Sequence, residues 1–236
     1  MNMATGTEHT VKAFDNEIGE LRGHIAEMGG RAEAAITSAM EALVKRDLDL
    51  ARRVIEDDKI IDRLESEVEK LAVQIIALRA PMADDLRDVV AALKIAAVLE
   101  RIGDYGKNIA RRVGAIEGRR KIEPISLLPS MAQVATEMVA DALNAFAARD
   151  PIAAVAVNER DRVVDDFYNS IFRTLVTYMV EYPPTISDAA HLLFVAKNLE
   201  RVGDHATNVA EMVYFAATGE HMAERERADP YDEFKR

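Results

Sequence analysis

Glu100–Ala110 reads ERIGDYGKNIA, and Glu200–Ala210 reads ERVGDHATNVA. Six of the eleven positions are identical, and two more exchange Ile for Val. Each copy sets a Glu and an Asp four residues apart around a glycine. On a helix, residues i and i+4 project from one face, so Glu100 neighbours Asp104 and Glu200 neighbours Asp204. Like charges at that spacing cost a few tenths of a kcal/mol, and a mid-helix glycine costs up to about 1 kcal/mol against alanine. Local stability does not account for a phrase that carries both penalties twice.

Apolar residues around these phrases recur at three- and four-residue intervals, and no strand-like alternation is sustained, so the chain reads as all-α. Six long helices are expected. The first runs from about Thr10 to Lys45. Asp47 caps the second, which reaches about Arg79 with a stripe of Val54, Ile61, Leu64, Val68, Leu71, Ile75 and Leu78. Pro81 breaks the chain before a third helix from about Asp84 to Ile116. The segment EGRRKIEPISLLP, with Gly118, Pro124 and Pro129, is the best boundary in the sequence. Helix four covers Met131 to Arg149. Asp150 caps helix five through Pro151 at its first position, and that helix reaches Glu181. Pro183 and Pro184 break the chain before helix six, Ser187 to Thr218.

The second half restates the first. Arg46-Asp47 aligns with Arg149-Asp150, Val54 with Val157, Asp58 with Asp161 and Asp62 with Asp165. This is a tandem duplication of an antiparallel three-helix bundle. The expected divisions are a first bundle over 1–117, a linker over 118–129, a second bundle over 130–218 and a charged, flexible tail over 219–236.

Counting along the hairpins gives the phrase its partners. Asp62 lies 19 residues before Pro81 and Glu100 lies 19 after; Asp58 and Asp104 each lie 23 away. At 1.5 Å per residue the pairs sit level, roughly 28 and 34 Å from the turn. The second hairpin repeats the match for Asp165 with Glu200 and for Asp161 with Asp204. Four carboxylates at one level repel unless some are protonated or a cation sits among them. Carboxylate oxygens suit Mg²⁺, Ca²⁺, Mn²⁺ and oxidised iron, and Asn108 and Asn208 stand ready to add amide oxygens. On an ideal helix the acids of the phrase point away from the Ile95–Ile102–Ile109 seam, so any such site is expected to be shallow. Arg101 and Arg201 are expected to pair with nearby acids. His191 reads as a packed or hydrogen-bonded residue, His205 as turned away from Asp204, and Met28, Met131 and Met138 as core.

Composition bounds the rest. The 236 residues include 49% apolar and 30% charged types with few Gly and Pro, a helical-bundle balance. With no cysteine, thiolate metal sites and thiol catalysis are excluded. A net charge of −11 argues against nucleic acid as a partner. The N-terminal MNMATGTEHT lacks a signal-peptide core, and no apolar run approaches the ~20 residues of a membrane span. A cytoplasmic protein is expected, neither secreted nor membrane-spanning.

The doubled phrases, together with DDKIID, RDRVVD and PMADDLRDVVAALKI, resemble the PhoU family of phosphate-transport accessory and regulatory proteins. The resemblance spans nearly the whole chain, Phe14 to about Phe215. It implies two similar three-helix bundles. It implies metal ions, often iron and sometimes other ions such as Mg, Mn, Zn or Ca, held by Asp58, Asp62, Glu100 and Asp104 in one half and by Asp161, Asp165, Glu200 and Asp204 in the other. It implies negative regulation of phosphate-starvation signalling, linking the phosphate ABC transporter ATPase to a membrane sensor histidine kinase. Tyr105 and Lys107 differ from their second-half counterparts, which sets equal occupancy of the two halves in question. Exposed apolar helix faces suggest a homodimer. The chain shows no P-loop, nucleophile motif or cofactor fingerprint, so no enzyme is expected. Two other readings stand beside this one. A di-iron oxidase or iron store uses Glu-x-x-His in a bundle core, but Gly103 and Gly203 stand where the histidines belong. A metal-free structural helical partner is the third.

Overall fold

The computed structural model describes residues 4–116, 122 and 126–223, with side chains from residue 13 onward. Its helices are α1 (Ala4–Lys45), α2 (Leu48–Arg79), α3 (Asp84–Val113), α4 (Leu128–Ala148), α5 (Pro151–Glu181) and α6 (Ile186–Thr218), with a 3₁₀ turn at Pro183–Thr185 before α6. No strand occurs among the described residues.

The two halves begin their second helices with the same device. Arg46 and Arg149 leave the preceding helix in the left-handed region, at φ 57° and 52°. The next residue, Asp47 or Asp150, caps with its carboxylate. Asp47 accepts from the N–H groups of Asp49 and Leu50, and Asp150 from those of Ile152 and Ala153. Each cap satisfies two of the helix's orphan donors. Pro151 occupies the first turn of α5, where it has no hydrogen bond to forfeit. For the same reason α4 starts at Leu128, three residues before the expected Met131, with Pro129 in its first turn.

Outer helix α2 packs on α1 and α3, and outer helix α5 packs on α4 and α6. Within each half α1 also packs on α3 and α4 on α6, and contacts of α3 with α6 and of α1 with α4 join the halves around one hydrophobic core. Met28, Met131 and Met138 are fully buried in it. Of the α2 stripe, Val54, Ile61, Leu64, Val68 and Ile75 are buried, Leu71 is half-buried with Ala72 taking the buried place beside it, and Leu78 in the last turn is exposed. An ionic clasp also spans the halves. Buried Asp88 of α3 lies 3.1 Å from Arg22 of α1 and 3.1 Å from Arg149 at the end of α4. Arg149 also donates to the carbonyl of Ala216 on α6. The left-handed backbone at Arg149 therefore aims a cation at the other half. Most of the expected linker (118–121 and 123–125) and most of the expected tail (224–236) lie outside the described residues.

Candidate carboxylate clusters at two helix hairpins

The glycines of the doubled phrase are where helices touch. A Cβ on Gly103 would lie 2.7 Å from Ile61 Cδ1 and 3.5 Å from Asp58 Oδ1. A Cβ on Gly203 would lie 2.9 Å from Asp161 Oδ1 and 3.2 Å from Val164 Cγ1. In each half the missing side chain lets the outer helix approach and lays an aspartate against the backbone of the phrase. A histidine there, as a Glu-x-x-His di-iron set needs, has no room. One turn later Gly106 does the same for α1, where a Cβ would meet that of Ala35 at 2.9 Å.

This contact corrects the expectation of a shallow site. Asp58 is 4% exposed and Asp161 is 2% exposed. Both lie on the buried stripe of their helix. Val54, Asp58 and Ile61 follow helical spacing, as do Val157, Asp161 and Val164. An aspartate interrupting an apolar seam at its own period was the signal for burial, and reading only the apolar members of the seam missed it. The other members are graded outward: Glu100, Asp104, Asp165, Glu200 and Asp204 are half-buried, and Asp62 is exposed.

In the first half all four expected acids interact. Burial pushes the Glu100 carboxyl above its ordinary range, and the negative charges of Asp104, Glu65, Asp62 and Asp58 push it further. Glu65 is thus a fifth member that the sequence reading left out. Its own carboxyl is also raised, by burial and then by Glu69 and Asp62. Burial likewise raises Asp58, against the pull of Lys107. Lys107 stands inside this cluster. Its ammonium donates to Asp104 Oδ1 at 2.6 Å and to Asp58 Oδ2, bridging α3 and α2. Burial works against its charge, but the bonds to Asp104 and Asp58 outweigh burial and hold it above the ordinary lysine value.

The second half is built differently. Burial raises Glu200, Lys197 opposes, and Asp204 and Asp165 add to the rise. Lys197 donates to Glu200 Oε1 at 2.6 Å from its own helix, with its ammonium 5.3 Å from the Tyr168 ring centre and its side chain 42% exposed. The residue matching Lys107 is Thr207, whose hydroxyl donates to the backbone carbonyl of Asp204. Among the described residues, no three Asp, Glu or His side chains form a ready-made ligand set in either half.

The two phrases face each other where α3 meets α6. Tyr105 and His205, which hold the same place in the two copies, meet edge to face with ring centres 5.3 Å apart. The Tyr105 hydroxyl lies 3.4 Å from His205 Nε2. Burial, then nearby Arg101, keeps the His205 ring below its ordinary value, as suits a neutral partner for the phenol. Arg101 acts on the nearby acid Glu65, and both Arg101 and Arg201 stand near this aromatic contact. The Asn108 amide oxygen accepts from Arg111 at 3.3 Å. His191 is hydrogen-bonded, as expected, with its Nδ1 3.1 Å from Arg112.

A family profile described as the PhoU domain matches this chain twice, over residues 25–113 and 128–213. A protein of Zymomonas mobilis named phosphate-specific transport system accessory protein PhoU homolog is 55% identical, over 96% of each chain. A Rhizobium meliloti protein of the same name is 45% identical, over 94% of each. The crystal structure of PhoU from Pseudomonas aeruginosa superposes with a TM-score of 0.83 at 36% identity, covering 88% of this chain and 100% of that one. A phosphate transport system regulatory protein, PhoU from Streptococcus pneumoniae, gives a TM-score of 0.84 at 26% identity, covering 89% and 100%.

Proposed function

The chain belongs to the PhoU family, and from that membership we infer that it is an accessory, regulatory component of a phosphate transport system. The observation that carries this reading is the double domain match, shared with relatives of that name along nearly their whole length. It works as an adaptor and not as an enzyme. Its partners are the ATPase of the phosphate ABC transporter and a membrane sensor histidine kinase, and its effect on phosphate-starvation signalling is negative. It acts in the cytoplasm; among the described residues no helix is long and apolar enough to cross a membrane. Apolar side chains at the hairpin turns, Leu78 and Met82 in one half and Val180 and Ile186 in the other, stand exposed and offer surface to a second copy or to a partner.

Cation binding by the doubled acids belongs to the same reading. In the second half Asp161, Asp165, Glu200 and Asp204 are the residues that would hold a cation once drawn together by it. Their oxygens are hard donors suited to iron, manganese or magnesium, and burial first, then the charges of Asp204 and Asp165, push the Glu200 carboxyl up. A bound ion would neutralise that repulsion and tie α5 to α6. The surface offered to partners would then be a stiff one.

Deleting the gene tests the regulatory role. Expression of phosphate-scavenging genes should rise several-fold in phosphate-replete cells, and restoring the chain should reverse it. Unchanged expression in high phosphate would overturn the assignment.

A further inference from the structure

The two hairpins share a backbone plan but not a surface. On the outer side of the second one, Phe172, Val176 and Val180 follow each other at i+4 along α5, and helix rise sets Phe194 and Ile186 of α6 level with them across the turn. All of these are exposed, Phe172 by 45% and Phe194 by 54%. Tyr168, one turn before Phe172, continues the row, with its ring centre 6.2 Å from that of Phe172. From Tyr168 to Val180 the strip runs about 18 Å, more than three helical turns. Burying side chains of this size is worth about 1.5–3 kcal/mol each, so the stability of the fold does not account for leaving them in water. In the first half the matching residues of the repeat are Glu69 for Phe172 and Lys94 for Phe194, both exposed. Two solvated side chains of opposite charge thus stand where the second half sets two aromatic rings.

The charges around the strip point to its occupant. On the α6 edge, Arg112 of α3 lies over the Phe194 ring, 4.5 Å from its centre, and also reaches His191. At the inner end the Lys197 ammonium, bonded to Glu200, lies 5.3 Å from the Tyr168 ring centre. On the α5 edge, exposed Arg173 stands three residues before Val176 and seven before Val180, on their side of the helix. Cations therefore flank the strip in a chain whose net charge is −11. We propose that the α5–α6 strip is the docking site for an amphipathic helix of a partner protein, apolar on the face it lays down and acidic on either side of that face. Such a helix presents anchors at i, i+3, i+4 and i+7, and the strip has room for about three turns of it. Its acidic flanks would meet Arg112 and Arg173, which steers the encounter and rejects basic helices. A second copy fits poorly, because a two-fold pairing sets cationic edges against cationic edges. An anionic membrane surface also fits poorly, since the net negative charge of the chain opposes it. The proposal rests on the adaptor reading and is independent of cation binding by the doubled acids.

The test uses the full chain and two synthetic amphipathic helices of about 18 residues, alike in their leucine face and differing only in glutamate or lysine at the flanking positions. Binding is followed by the fluorescence anisotropy of labelled peptide at low salt. The glutamate helix should bind saturably, and the lysine helix at least about tenfold more weakly. The double variant Phe172→Glu with Phe194→Lys copies the first half onto the second. Both positions are exposed, and circular dichroism checks that the variant folds. It should bind the glutamate helix at least about tenfold more weakly, whereas Val73→Ser in the first half should leave binding unchanged. No saturable binding, equal affinity for the two helices, or a double variant that binds as well as wild type would overturn the proposal. A wild-type dimer that dissociates in the double variant on sedimentation would also overturn it, by assigning the strip to a second copy. Flotation with phosphatidylglycerol vesicles that is lost in the double variant would do so too, by assigning it to a membrane. These readouts use purified protein, so they are decided separately from the regulatory role, which gene deletion tests.

Discussion

Lys107→Met is expected to lower the unfolding free energy by about 3–5 kcal/mol in metal-free buffer, the usual cost of removing one partner from a buried ion pair. Methionine preserves most of the length and the apolar stem, so the loss isolates the charge. It leaves Asp58 nearly enclosed, with Asp62 and Asp104 acting on it and no ammonium to answer them. The control is a second change, Asp58→Asn, made on top of the first. Removing both charges should recover most of the loss, because replacing a buried pair by neutral groups is often close to neutral. Urea titrations of wild type, the two single variants and the double variant give the coupling directly. A loss below about 1 kcal/mol for Lys107→Met would mean that the pair behaves as a surface ion pair, and that its bridging role is wrong.

Gly203→Val carries the other large effect. Alanine or valine in place of an exposed helical glycine usually stabilises, and Gly23 in α1, with nothing within 4 Å of its would-be Cβ, is the internal reference. Gly23→Ala should gain up to about 1 kcal/mol. At Gly203 the first added carbon already meets Asp161 Oδ1 at 2.9 Å and Val164 Cγ1 at 3.2 Å. Valine adds two further carbons there, and the overpacking should cost about 1–3 kcal/mol or more despite the gain in helix propensity. It should also displace Asp161 and lower Mn²⁺ uptake by an otherwise folded protein. Thermal melts of the two variants side by side should move in opposite directions. A stabilised Gly203→Val protein would show that the helices do not press together there.

The helical plan could be read from the chain because its signals are local. Asp47 and Asp150 cap as expected, Pro81 and Pro183 interrupt, and the 3.6-residue period runs through every element. The level pairing of acids across each hairpin was also legible, since helix rise alone sets it. What a single helical wheel does not contain is which face a neighbour covers. The acids of the phrase point away from the Ile95–Ile102–Ile109 seam, yet α2 and α5 lie over that second face. They reach it because Gly103 and Gly203 clear the way. The role of Lys107 was hidden for the same reason. In sequence it is a cation three residues after Asp104, an ordinary surface pairing, and only the packing of α2 brings Asp58 within its reach. Tyr105 and His205 were likewise two separate substitutions in a repeat until α3 met α6.

One phrase, written twice, sets a buried aspartate against a glycine at each hairpin and gathers carboxylates around it. Whether those carboxylates take up a cation is read from anomalous scattering at the manganese edge, in crystals of the wild-type protein equilibrated with Mn²⁺. Density is expected beside Asp161, Glu200 and Asp204, and none between Asp58 and Asp104, which Lys107 already bridges. A map with no manganese beside those acids would defeat cation binding by the doubled phrase.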